Sequence, residues 1–202
     1  MQFLSLCRLQ QFAMSSRLTV VLVSLLLATP AGMFWLWLII LTARLAILCP
    51  EGCWCNPVGC YVDCYISSLN SISLILPTDI RWLVLDGNCI TSLEKDVFVS
   101  RGLTELEVLR ANKYEIKAIE FGSFNGLTKM LDISVSGNEI REVTPRIFEN
   151  MRRLEYLDLA YNKIVYLEAD VFSGLVNLKR IHLDGIKLQY CHTDTFVGLP
   201  NL

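Results

Sequence analysis

The sequence is poor in histidine and carries almost no net charge. Its 202 residues include two histidines, and 18 Lys and Arg oppose 20 Asp and Glu, which gives a formal net charge of −2 at pH 7. Nucleic-acid-binding domains usually carry a basic patch or stripe, and no such stripe occurs here, so we predict no nucleic-acid partner. Because no Ser or Cys nucleophile lies in register with the histidines, we also predict no enzymatic activity, no metal and no cofactor.

The N-terminal part of the chain lacks charge over a long stretch. Residues 18–43, between Arg17 and Arg44, contain no charged side chain and are rich in Leu, Val, Ile and Trp. We therefore predict that residues 1–48 are a signal peptide or a membrane anchor. The basic residues that precede the run should stay in the cytoplasm, which places the rest of the chain outside the cell or on its surface.

Sequence alone leaves the fate of residues 1–48 open. As a signal peptide, the segment would have its apolar region at 18–28 and its cleavage site after Ala31, which leaves a second apolar run at 34–41 behind. As a retained anchor, the whole run is long enough to span a hydrocarbon core of ~30 Å. A start at Met33 would make the second run the signal instead.

The rest of the chain repeats itself. Residues 154–164 follow the pattern L-x-x-L-x-L-x-x-N-x-I, and similar segments precede and follow them. One phenylalanine of each round recurs every 24 residues after a first step of 26: Phe98, Phe124, Phe148, Phe172 and Phe196. A period in the twenties built on this pattern is the signature of a leucine-rich repeat.

The alternation within each round predicts the architecture. In residues 156–160, Leu157 and Leu159 point to one face of a strand, and Tyr156 and Asp158 point to the other. A single strand of this kind cannot bury its apolar face, so successive strands must stack on a shared core. We predict an α/β repeat solenoid, a horseshoe arc with a parallel β-sheet on its concave face, with about five repeats in residues 77–202 and a truncated sixth.

Two further sets of residues recur once per round and should therefore form columns in the folded chain. Asn88, Asn138 and Asn162 stand at the turn into the return limb, where an amide offers both a donor and an acceptor to neighbouring rounds. Tyr114 and Ile186 replace this Asn, and we expect looser backbone at their rounds. A second apolar column stands on the return limb, and its members should be buried: Leu93, Ile119, Val143, Leu167 and Cys191.

Residues 49–76 are rich in cysteine and should cover the first repeat. Five of the eight cysteines lie between Cys49 and Cys64, a density that predicts disulfides in a translocated chain, whereas zinc is disfavoured because no His lies nearby. The spacing C-x3-C-x-C-x8-C resembles the N-terminal cysteine cap of extracellular leucine-rich repeat proteins. That resemblance implies that Cys49 pairs with Cys55 and Cys53 with Cys64. Cys60 and Cys89 could bond each other if the cap folds over the first repeat.

From Cys49 to Leu202 the chain resembles the extracellular leucine-rich repeat family of animals, which includes Toll-like and Slit-like receptors. The resemblance implies binding of a protein or peptide ligand, usually on the concave sheet or its rims. The family's C-terminal cysteine cap is absent, so we expect a fragment, the N-terminal part of a cell-surface receptor or adhesion protein. The alternative is a matrix or membrane-anchored scaffold that acts by self-association as a homo-oligomer.

Outward-facing strand positions supply the candidate binding residues. Aromatic and Arg side chains are enriched at protein-binding hot spots, which favours Trp82, Tyr156 and Arg110. The alternative is an ordinary solvated sheet surface with one exposed Trp. The His182 and Asp184 pair is interpreted as a polar surface cluster. The full predicted set is Trp82, Asp86, Arg110, Asn112, Tyr156, Asp158, Arg180 and His182.

Overall fold

The computed structural model describes residues 49–56, 60–65, 67–72, 75–113 and 115–202. The described residues belong to one compact unit, Leu48–Leu202. The predicted signal or anchor, residues 1–48, lies outside the described residues. Within the part that is described, no helix is long and apolar enough to cross a membrane.

Eleven short strands build the described unit. The strands are β1 Trp54–Asn56, β2 Tyr61–Asp63, β3 Trp82–Val84, β4 Ser92–Leu93, β5 Val108–Arg110, β6 Ala118–Ile119, β7 Asp132–Ser134, β8 Tyr156–Asp158, β9 Tyr166–Leu167, β10 Arg180–His182 and β11 Tyr190–Cys191. Seven of them form one sheet in the order β1-β2-β3-β5-β7-β8-β10, and two pairs, β4-β6 and β9-β11, form small sheets on the return limbs. A 3-10 helix at Val99–Arg101 is the only helix in the described ranges.

The large sheet is parallel from β2 to β10, and its central residues point into the core. Each strand pairs with the strand of the next round in matching register, so that Leu109 faces Ile133 and Ile133 faces Leu157. These three side chains are fully buried. The parallel-strand solenoid predicted from the period-two alternation is confirmed.

The return limbs close the core from the other side. The rings of Phe98, Phe124, Phe148, Phe172 and Phe196 stack in sequence with centroids 5.6–6.4 Å apart. All but the last of these rings are buried, whereas Phe196 is 40% exposed. The limbs between strands consist of turns, bends and the one 3-10 helix, because 24 residues per round leave little room for longer helices.

The asparagine ladder forms as predicted. The Nδ2 of Asn138 donates to the carbonyls of Ala111 and Val135, both at 2.8 Å, and its Oδ1 accepts from the backbone N–H of Ile116 at 3.2 Å. Asn88 and Asn162 make the same kind of bonds in their own rounds. Each buried amide therefore links the backbone of two adjacent rounds. Of the two residues that replace this Asn, Tyr114 lies outside the described residues and Ile186 is half-buried against the core.

A glycine sets the distance between two return limbs. Gly174 has φ +90°, and a Cβ at this position would overlap the backbone carbonyl of Glu149 in the preceding round. Gly198, one round later, has φ +85° but meets nothing within 4 Å. The left-handed backbone alone favours glycine at both positions, and close packing adds a second requirement at Gly174.

The cysteine-rich segment forms both disulfides that the family resemblance implied. Cys49 is bonded to Cys55 and Cys53 to Cys64, with Cα atoms 5.7 and 4.2 Å apart. The segment also extends the sheet, which the repeat pattern did not predict. β1 and β2 form an antiparallel hairpin, and β2 pairs in parallel with β3, the first strand of the repeats.

The structure decides the Cys60 and Cys89 pairing that the sequence left open, and it shows that the predicted burial of Cys191 is wrong. Cys60 and Cys89 do not bond each other, and both are free thiols. Cys191 is exposed, although the rest of its column is buried. The reason is that β11 pairs on one side only, with β9, so that no strand covers the other side of Cys191 in the described residues.

Candidate functional site on the open face of the sheet

The face of the seven-stranded sheet that points away from the core is called the open face below. Strand register places its side chains in two rows that cross the sheet. The first row is Tyr61, Trp82, Val108, Asp132, Tyr156 and Arg180. The second row is Asp63, Val84, Arg110, Ser134, Asp158 and His182. Six of the eight predicted binding residues lie in these two rows. The other two, Asp86 and Asn112, each follow a residue of the second row by two positions in the chain.

The cap places two more aromatic rings beside Trp82. The ring of Tyr61 lies 6.1 Å from that of Trp82 and 5.7 Å from that of Trp54, measured between centroids. Trp54 and Trp82 are each 46% exposed and Tyr61 is partly buried. We call these three residues the aromatic row. Sequence reasoning missed Trp54 and Tyr61, although the apolar centre of Tyr61-Val62-Asp63 repeats the alternation of the later strands.

Two carboxylates flank the aromatic row. Asp63 accepts hydrogen bonds from the Tyr61 hydroxyl at 3.2 Å and from the backbone N–H of Tyr65 at 2.9 Å. Asp86, in the loop after β3, accepts from the backbone N–H of Asn112 at 2.8 Å. Burial raises the pKa of Tyr61, the negative charges of Asp63 and Asp86 raise it further, and Arg110 opposes the rise. Two carboxylates and one guanidinium therefore act on the Tyr61 hydroxyl.

An ion pair occupies the centre of the open face. The Nη2 of Arg110 lies 3.1 Å from the Oδ2 of Asp132 on the next strand. The Oδ1 of Asp132 is buried without a hydrogen-bond partner among the described residues. Burial raises the pKa of Asp132, Arg110 opposes that rise, and the charge of Asp158 adds to it. Arg110 is thus already paired with a neighbouring strand.

Hydrogen bonds between strands also engage Asn112 and Asp158. The Oδ1 of Asn112 accepts from the hydroxyl of Ser134 at 2.6 Å and from the backbone N–H of Ser136 at 2.9 Å. Asp158 accepts from Ser134 at 3.2 Å and from the backbone N–H of Ala160 at 2.9 Å. These bonds hold the middle of the open face in one arrangement and leave fewer polar groups there for a ligand.

A third cluster forms at the far end of the sheet. The guanidinium of Arg180 lies over the Tyr156 ring at 5.7 Å, and the imidazole of His182 lies 5.2 Å from the same ring. His182 Nδ1 is 3.6 Å from the Asp184 carboxylate. Burial raises the pKa of Tyr156, and Asp158 raises it further. No group of three or more metal-ligating side chains occurs within the described ranges.

The repeat pattern agrees with a known family model. A family model described as leucine rich repeat matches residues 101–164 and 132–188. The chain therefore carries leucine-rich repeats over residues 101–188. It is 36% identical over 95 residues to leucine-rich repeat-containing protein 3B of Bos taurus, Mus musculus and Homo sapiens, and 32% identical over 100 residues to that of Danio rerio. These matches cover 46–47% of this chain and 36–38% of the relatives, so the chain spans little more than a third of their length.

Solved structures share the same architecture. The crystal structure of a TLR13–ssRNA13 complex matches with a TM-score of 0.58 and 27% sequence identity. The match covers 62% of this chain and 17% of that chain. The leucine-rich repeat solenoid of this protein is therefore similar to part of a much longer one.

Proposed function

We propose that this protein is an extracytoplasmic recognition module that binds a protein or peptide on its open face without catalysing a reaction. The observation that carries the proposal is the exposure of aromatic side chains on a rigid sheet. Trp82 is 46% exposed in the aromatic row, and Tyr156 forms a second aromatic cluster with Arg180. Exposed Trp, Tyr and Arg on a preformed surface are the residue types that dominate protein-binding hot spots.

The charges of the open face favour a peptide over a nucleic acid. Its cationic side chains are Arg110, which is paired with Asp132, and Arg180, which lies over Tyr156. The acidic residues outnumber them along the same rows. A phosphate backbone needs several free cations, and this surface does not supply them. Our proposal for this chain therefore does not include RNA as a ligand, although the matching TLR13 structure is a complex with ssRNA.

The setting that we propose is the cell surface. An N-terminal apolar run and a disulfide-bonded cap fit a chain that passes through the secretory pathway, where disulfides persist. The match covers only 36% of the length of leucine-rich repeat-containing protein 3B, which fits our proposal of the N-terminal part of a receptor or adhesion protein.

Binding of an unbiased peptide library tests the proposal. Phage displaying random dodecapeptides are selected on the purified full chain, and the affinities of the selected peptides are then measured on two variants. Trp82→Ala should weaken binding by about tenfold or more, as for a hot-spot aromatic. Tyr166→Ala, which removes an aromatic ring of similar exposure from the β9-β11 sheet, should leave affinity unchanged. Unaltered circular dichroism of both variants excludes misfolding as the cause, and equal affinities for the two variants would contradict the proposal.

A further inference from the structure

The aromatic row and its carboxylates together define the chemistry of a ligand. Three rings from β1, β2 and β3 stand next to one another, and two of them are about half exposed. The face of an aromatic ring is electron-rich, and it attracts a Lys or Arg cation placed over it. A contiguous row of rings offers such a cation a surface several side chains wide.

The carboxylates beside the row lack counterions. Neither Asp63 nor Asp86 forms an ion pair with any residue that the structure describes, whereas Asp132 on the same face is paired with Arg110. The hydrogen bonds that these two carboxylates accept come from neutral donors: the Tyr61 hydroxyl and backbone N–H groups. Each carboxylate has lone pairs left over, since an ionised carboxylate offers about four acceptor positions.

We propose that the aromatic row binds an arginine- or lysine-bearing segment of the peptide ligand, with the cation over an aromatic ring and its N–H groups directed to Asp63 and Asp86. This inference rests on the proposed function and adds the charge of the ligand and the part played by the cap. The cap is then a binding element as well as a cover, because Trp54, Tyr61 and Asp63 belong to it and Trp82 and Asp86 belong to the repeats.

The internal bonds of the site allow a clean test of charge. Asp86 accepts from the Asn112 N–H, and Asp63 from the Tyr65 N–H, through Oδ1, an atom that an Asn side chain keeps. The Oδ2 of Asp63 accepts from the Tyr61 hydroxyl; in Asp63→Asn an amide nitrogen takes its place and can donate to the same hydroxyl oxygen. Asp63→Asn and Asp86→Asn therefore remove the negative charge while keeping the local structure. Asp170→Asn is the control for loss of a carboxylate away from the open face. Asp170 lies on a return limb, its exposed carboxylate is 3.8 Å from Arg146, and its φ of +60° is one that Asn tolerates.

The experiment measures affinities of peptides selected from the same random library on the full chain. We expect the selected peptides to be rich in Arg and Lys and to lose affinity by about tenfold on Trp82→Ala. The double variant Asp63→Asn/Asp86→Asn should lower affinity by roughly three- to tenfold at low ionic strength, and Asp170→Asn should have no effect. Raising the salt from about 0.05 to about 0.5 M should reduce the difference between wild type and the double variant.

The outcomes separate this inference from the proposed function. Peptides that depend on Trp82 but carry no positive charge, or that bind the double variant as tightly as the wild type, would overturn the inference and leave the proposed function standing. Basic peptides whose affinity is unchanged by Trp82→Ala would show that only the net charge of the protein attracts them, and this result would also overturn the inference. Peptides that respond to no substitution on the open face would overturn both.

Discussion

The asparagine ladder gives a sharp prediction about stability. Asn138→Ala deletes one buried amide that serves three backbone groups: the carbonyls of Ala111 and Val135 and the N–H of Ile116. The amide is 4% exposed and lies between two rounds. Its loss leaves the carbonyl of Ala111 and the N–H of Ile116 without their partner in a site that is closed to bulk water, whereas the carbonyl of Val135 keeps its bond from the Nδ2 of Asn162 at 3.0 Å.

The magnitude follows from the number of unpaired groups. Each buried backbone group left without a hydrogen bond costs about 1–3 kcal/mol. Two such groups would cost ~2–6 kcal/mol if nothing relaxed, and backbone movement or one entering water lowers this figure. We expect a loss of about 2–4 kcal/mol in the free energy of unfolding, a large part of the ~5–15 kcal/mol that stabilises a typical domain.

Asn177→Ala is the matched control. Asn177 also bonds a backbone carbonyl of the preceding round, that of Arg152 at 2.6 Å, but it is exposed and makes this single bond. Water replaces it easily, and we expect a loss of ~1 kcal/mol or less. The two substitutions delete the same atoms and differ in burial and in the number of bonds.

Urea denaturation of the full oxidised chain, followed by circular dichroism, measures the loss for both variants. Amide hydrogen exchange gives an independent readout, because the N–H of Ile116 donates to Asn138 and should exchange faster in Asn138→Ala. A loss no larger than that of Asn177→Ala, with unchanged protection of Ile116, would refute the view that the amide ladder holds adjacent rounds together.

Two further predictions concern packing and pH. Gly174→Ala should destabilise the protein by about 2 kcal/mol or more, because a Cβ there meets the backbone of the preceding round. Gly198→Ala should cost only the ~1 kcal/mol of an alanine in the left-handed region. Urea denaturation of the two variants measures both losses. Because burial raises the pKa of Asp132 above its ordinary 3.8, the folded chain holds this proton more tightly than the unfolded chain. The contribution of Asp132 to stability should therefore fall as pH rises from its ordinary pKa of 3.8 through its raised pKa in the folded chain, and Asp132→Asn should flatten that fall in urea midpoints measured from about pH 4 upwards. An identical slope in the variant would contradict the second prediction, and equal losses for the two alanines would contradict the first.

The repeats determined most of the fold through their sequence alone. A strict period of 24 residues fixes which residue of one round faces which of the next, and so Leu109, Ile133 and Leu157 could be aligned without coordinates. The role of the repeated Asn could be assigned from sequence because an amide inside an apolar core has a donor and an acceptor that must be paired with backbone groups. The family resemblance supplied the two disulfides of the cap, which spacing alone leaves open.

Tertiary structure decided what depends on neighbours outside the period. Cys191 shares its register with buried residues but is exposed, because burial comes from a covering strand and not from the residue's own position. Arg110 and Asn112 occupy outward positions, as predicted, but bonds to adjacent strands already engage them, and a linear pattern does not show such pairing. The aromatic row could be recognised only once the cap hairpin had paired with β3, because Trp54 and Trp82 are far apart in the chain and meet through Tyr61 on the sheet.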